Sequence, residues 1–164
     1  TSGIGSEAGG TNGLAPTWAN MVNLETDVAV ANADIGAVGY LVNAKTRGKL
    51  KQTLKNPSGT DASFIWPDVA GPAAGFGLVN GYKTGVSNQV SAGLTKGTST
   101  GNCSAIFFGN WNDLLIGEWG VLDLLVNPYT IATAGGIRVH VYKSADVGVR
   151  RAGSVAALVD ALCG

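Results

Sequence analysis

Apolar residues follow two different spacings along this chain, and each change of spacing marks a new element. Trp18, Met21, Leu24, Val28 and Ala31 recur at helical intervals. This predicts a helix over residues 17–33 with one apolar stripe. Pro16 and Thr17 are start signals, and Asp34 and Gly36 close the segment. The run VGYLV over 38–42 is almost wholly apolar and reads as a buried strand. Asn43 is placed to cap a second helix over 44–55, with Leu50 and Leu54 turned inward. A buried strand between two helices points to layered packing of helices on a sheet.

Residues 56–76 carry three prolines and three glycines, which predicts a long surface loop with a short extended piece at 63–66. Residues 77–89 read as a turn and a strand, 92–102 as a second loop, and 104–108 as an apolar strand. A helical turn over 110–115 and a strand over 121–126 follow. The clearest pattern lies at 137–149. Ile137, Val139, Val141, Ala145, Val147 and Val149 share one parity, while Arg138, His140, Tyr142, Ser144 and Asp146 share the other. Such alternation predicts a long half-buried strand, with Lys143 as its one interruption on the apolar side. Residues 154–163 fit a helix or a strand. Residues 1–15 read as a flexible Gly-rich linker. The sequence starts inside that linker without Met, as a piece of a longer protein would.

Composition narrows the function. Hydrophobic residues make up 45% of 164 residues, enough to pack one domain or one domain with a small appendage. Charged residues are only 13%, about half the usual ~25%. A charge-poor surface is suited to burial against neighbours. The formal net charge is zero, which argues against a dedicated nucleic-acid binder but not against a protein that encloses nucleic acid. Cys103 and Cys163 have no metal-ligand spacing. They read as free thiols, with a disulfide between them as the other reading. No run of 18 apolar residues is present, so no membrane-spanning helix is read, and no signal-peptide pattern occurs in these residues.

Catalytic chemistry finds little support. The one histidine, His140, sits on the polar face of the alternating strand, and no G-x-S-x-G elbow accompanies it. The stretch GIGSEA loosely matches a dinucleotide loop, but no strand precedes it and Pro16 delays the helix. Asp113, Glu118 and Asp123 are close in sequence but read as ordinary strand-end carboxylates. No catalytic residue, cofactor or metal site is expected. One charge feature stands out: Lys45, Arg47, Lys49, Lys51 and Lys55 crowd onto the second helix. Two readings stand for it, a basic patch for nucleic acid or an acidic partner subunit, and a solvated helix face.

Residues 104–130, SAIFFGNWNDLLIGEWGVLDLLVNPYT, resemble the C-terminal region of tailed-phage major capsid proteins of the Hong Kong 97 type. In that family a strand carrying FGD leads through IGxxGG to VDPYT. The matching pieces here are Phe108-Gly109-Asn110, Ile116-Gly117-Glu118 and Val126-Asn127-Pro128-Tyr129-Thr130. Upstream, GYLVNAKTRGKLKQTLK is similar to the family's VMNP strand–helix pair, and GYKTGVSNQV to its GyPVvvSnq strand. SGIGSEAGGTNGLA looks like the Gly-rich segment after its spine helix, and 149–154 like its tail. The departures are Ala44 and Lys83 for prolines, and Asn110 and Asn127 for acids.

The resemblance implies an α+β fold, a mixed sheet flanked by helices with a long C-terminal strand. It divides the chain into a linker (1–15), an axial domain (16–134), and the returning strand of the peripheral domain with the tail (135–164). The family's N-terminal arm, extended loop and spine helix are then outside this sequence. It implies a structural subunit that self-assembles as pentamers and hexamers around double-stranded DNA, without reading DNA sequence. Its place would be the virion, after assembly in the host cytoplasm, with no cofactor, membrane or small-molecule substrate. Phe64, Ile65 and Trp66 are candidate subunit-contact residues; the other reading folds them back on their own domain. The alternatives are a nanocompartment shell of the encapsulin kind and, more distantly, a small α/β hydrolase or cofactor-binding protein with a cleft at His140.

Overall fold

The computed structural model describes residues 3–60, 62–67 and 76–163. Its contacts fall into two units, one of 1–113 with 151–164 and one of 114–150. The Gly-rich segment and the last strand both join the larger unit, while 114–127 pairs with 138–149 in the smaller one.

The larger unit is a mixed sheet with two helices. Its strands are β1 (Gly5–Glu7), β2 (Val38–Val42), β3 (Phe76–Val79), β4 (Tyr82–Val86), β5 (Leu94–Lys96) and β6 (Ser99–Asn110). The 114–150 unit contributes β7 (Leu114–Asn127) and β8 (Arg138–Val149), and β9 (Val155–Leu162) returns to the larger sheet. The order across that sheet is β1-β9-β6-β2-β4-β3, with β5 paired to β6. β1 runs parallel to β9 and β2 parallel to β4; the other pairs are antiparallel. Residues 5–7 are therefore an edge strand, not linker. The 92–102 segment is not a loop either: it holds β5 and the start of β6, turned at Gly97 with φ +55°.

The helix α1 (Trp18–Val30) starts at a capping box. Thr17 Oγ1 accepts from the Asn20 amide at 3.3 Å, and Asn20 Oδ1 accepts from the Thr17 amide at 3.0 Å. It ends two residues before Asp34, in a left-handed Asn32 (φ 51°). There the Ala33 amide reaches back to the Val28 carbonyl at 3.1 Å, and Asn32 to Ala29 at 2.8 Å. Met21, Leu24 and Val28 form its buried stripe. The helix α2 (Ala44–Gln52) is capped by Asn43, whose side chain accepts from the Lys45 amide at 2.9 Å. It stops short of residue 55. The chain at 53–55 instead pairs with 63–65, through Lys55 N–H to Ser63 C=O (2.8 Å) and Ile65 N–H to Thr53 C=O (2.9 Å).

The core lies between the helices and one sheet face. Tyr40, Phe108 and Tyr82 cluster there, with Tyr40–Phe108 centroids 4.4 Å apart and Tyr82 edge-on to Phe108. The buried Tyr40 hydroxyl donates to the Met21 carbonyl at 2.8 Å, anchoring α1 on β2; burial pushes this phenol well above its ordinary pKa. Close strand contacts demand glycine at particular points. A Cβ at Gly109, in the FGN motif, would lie 2.6 Å from the Ser154 carbonyl oxygen. One at Gly39 would lie 2.6 Å from that of Lys83.

The 114–150 unit is a two-stranded antiparallel ribbon of β7 and β8, running from Leu114 opposite Val149 to Asn127 opposite Arg138. Its register slips between Trp119 and Asp123, where Gly120 takes φ +78°. Strand β7 is thus longer than the expected 121–126. The alternating strand is where the pattern placed it, but its residues are exposed on both faces among the described residues.

Candidate functional site

In the ribbon, the pleat sorts side chains onto two faces. Ile116 and Val147, Leu124 and Val141, and Val126 and Val139 are direct cross-strand pairs on one face. All six are 51–66% exposed. The only charges on that face, Glu118 and Lys143, neutralise each other in an ion pair. The other face carries Leu115, Trp119, Asp123, Leu125, His140, Tyr142 and Asp146. His140 stacks on Tyr142, ring centroids 6.2 Å apart at 9°, and no carboxylate is hydrogen-bonded to it among the described residues. Glu118 and Asp123 lie on opposite faces and cannot converge on one ion. Asp113 belongs to the larger unit, where it accepts from the Ser154 hydroxyl.

At the ribbon's turn, Asn127 Oδ1 accepts from the Tyr129 amide at 2.9 Å and the Thr130 amide at 3.2 Å. This Asx turn needs only an acceptor oxygen, so Asn serves where the family has Asp. Asn110 uses its amide too: it donates to the Ile35 carbonyl at 2.7 Å, which a carboxylate could not do.

The candidate contact residues separate. Ile65 is 0% and Trp66 7% exposed, both inside the core of the larger unit; only Phe64, at 42%, faces outward. The Trp66 ring lies against Gly77, where a Cβ would overlap it. Two of the three residues therefore hold their own domain together. The loop's remainder, Asp61 and 68–75, lies outside the described residues.

The basic residues Lys45, Arg47, Lys49 and Lys51 are on α2, while Lys55 lies beyond its end with Nζ 4.4 Å from the Trp18 ring centroid. GIGSEA forms edge strand β1, so it opens no helix. Both cysteines are free. Cys103 is paired with Leu162, and Cys163 is the next residue, so the pleat sends the two thiols to opposite sheet faces. Cys103 Sγ lies by Gly13 while Cys163 points at Thr46. Burial raises the Cys163 thiol pKa.

A groove of about 550 Å³ crosses the sheet face away from the helices, lined by Gly39, Leu41, Phe76, Lys83, Gly85 and Trp111 among others. It is glycine and apolar surface with one cation, not a set of converging acids and bases.

What this molecule presents is surface. The phage capsid family matches residues 1–160, and the chain belongs to that family. It is 34% identical over 134 residues to the major capsid protein of Halomonas phage phiHAP-1, a match that covers 82% of this chain and 19% of that protein. Among solved structures, it is similar to a protein of Gordonia phage Cozz (TM-score 0.61, 15% identity, 97% of this chain and 50% of that one). It is also similar to the capsid of an empty GTA particle (TM-score 0.58, 20% identity, 96% and 50%). The chain thus spans half or less of the length of these relatives. The expected α+β fold of the Hong Kong 97 type is borne out.

Proposed function

We propose that this chain is the neighbour-contacting part of a phage capsid subunit, and that the whole protein builds a closed shell by self-association around double-stranded DNA. The larger unit serves as the axial domain and the ribbon as the returning strands of the peripheral domain. Its place is the virion, after assembly in the host cytoplasm, and no bond is made or broken.

The open apolar face of the ribbon carries this reading. A lone two-stranded ribbon is marginal in water, and six adjacent aliphatic side chains on one face are each more than half exposed. Such a surface gains its stability from burial against another surface. At about 25 cal/mol per Å² of apolar area, covering it contributes several kcal/mol per contact. A shell multiplies such contacts, so each subunit is held by several neighbours.

The test is electron microscopy of the purified protein beside its Val139→Asp/Val141→Asp variant. Closed particles are expected from the first and none from the second, with the far-UV signal of the larger unit retained. Particles that form unchanged with two aspartates on this face would sink the reading.

A further inference from the structure

Two groups of like charge stand apart in the larger unit, and no ion pair among the described residues involves either of them. On α2, Lys45 and Lys49 are four residues apart, as are Arg47 and Lys51. Like charges at that spacing weaken a helix by about 0.2–0.5 kcal/mol per pair. Gly48, between them, weakens it by about 1 kcal/mol relative to Ala. Yet a Cβ at Gly48 would meet nothing within 4 Å, so no packing in this chain requires the glycine. Glycine leaves the helix surface low at this point.

The opposite sign gathers elsewhere. Asp27, on the last turn of α1, lies beside β1, which carries Glu7. Burial and then the charge of Glu7 raise the Asp27 carboxyl pKa. Asp27 also faces the negative end of its own helix dipole. Asp34 follows just beyond. The described ion pairs are Lys96–Asp160 and Lys143–Glu118, so none involves either group; the nearest cation to the acidic edge is Arg151, whose guanidinium donates to the Ala31 carbonyl at 3.0 Å. The two patches are held apart. Lys55 reaches the start of α1 at Trp18, and Asp27 is nine residues further on, about 13 Å along the axis at 1.5 Å per residue.

We propose that the basic surface of α2 on one copy docks on the acidic edge of a second copy formed by Glu7 and Asp27. The two surfaces are different, complementary and on one chain. Such a head-to-tail contact repeats from copy to copy, and forms a ring where the rotation closes. DNA is the other polyanion that could cover α2, but it would leave the acidic edge unneutralised.

This inference rests on the shell reading, and the experiment separates the two. Lys45→Glu/Lys49→Glu/Lys51→Glu makes both patches acidic, with Arg47 the one cation left on α2; Glu7→Lys/Asp27→Lys makes both basic. Light scattering and sedimentation of the purified protein should show each variant associating roughly tenfold more weakly than the parent. An equimolar mixture should associate again, because each copy then finds its opposite. Lys49→Gln/Lys51→Gln, which adds no new charge, should weaken association less and serves if the reversal disturbs folding. A parent that stays monomeric overturns the shell reading and this inference with it. A parent that assembles while both variants assemble equally well overturns this inference alone. So does a lysine variant whose only loss is retention of a short DNA duplex.

Discussion

Replacing Gly77 by Ala probes the contact that holds the 63–66 segment in the core. The Gly77 backbone is ordinary extended strand, so strain plays no part, and Ala would ordinarily stabilise a strand position over Gly by about 0.5–1 kcal/mol. Here the new methyl would overlap Cζ2 of the Trp66 ring. The ring is 7% exposed, and its backbone amide is tied to the Leu50 carbonyl at 3.2 Å, so it cannot swing away freely. Overpacking of this kind costs about 1–3 kcal/mol. Trp66→Ala alone should cost about 3–5 kcal/mol through lost burial and the cavity left behind, against a total stability of about 5–15 kcal/mol. In that variant the clash is gone, and the Gly77 methyl fills part of the hole. Gly77→Ala should then be neutral or stabilising by up to about 1 kcal/mol. The coupling between the two substitutions is therefore about 1–3 kcal/mol and favourable. Urea unfolding of the four proteins, followed by far-UV circular dichroism, measures it. If Gly77→Ala costs the same in both backgrounds, the ring does not lie on Gly77, and Trp66 is again a candidate for contact between subunits.

Three further outcomes are expected. Thr17→Ala removes the cap of α1 and should destabilise by about 1 kcal/mol in urea unfolding, whereas Thr17→Ser should not. Gly109→Ala drives a Cβ to 2.6 Å from the Ser154 carbonyl oxygen, which is backbone and cannot rotate away. It should separate β6 from β9 and lower the melting temperature by more than any surface substitution. Asp27→Asn should stabilise the isolated chain at neutral pH, because the carboxyl pKa is raised in the fold above its ordinary 3.8. A raised carboxyl opposes folding when ionised in both states. The folded form regains its proton first as pH falls, so the gain from Asn should shrink on acidification and vanish below the unfolded value. The same substitution should weaken association between copies; a variant with no pH-dependent difference from the parent would contradict the cause assigned.

The elements readable from the chain are those whose reasons are local. The stripe of Met21, Leu24 and Val28, the capping residues Thr17 and Asn43, and the alternation of 137–149 each express a rule spanning a few residues. What went unread depends on partners distant in sequence. The run 155–162 has no decisive period, and it is a strand because β1 and β6 offer it a slot between them. Helix α2 stops at Gln52 because residues 63–65 compete for the backbone beyond it. Ile65 and Trp66 look like an exposed aromatic cluster in a loop, and only the return of that loop onto α2 and β3 buries them. The alternating strand is the instructive case. Its pattern correctly reports that one face is meant to be covered, but side-chain order along a strand does not carry the identity of the cover. Tertiary structure decides that by what it brings alongside. Among the described residues β8 pairs with β7 alone, and the aliphatic side chains of that ribbon face stay more than half exposed.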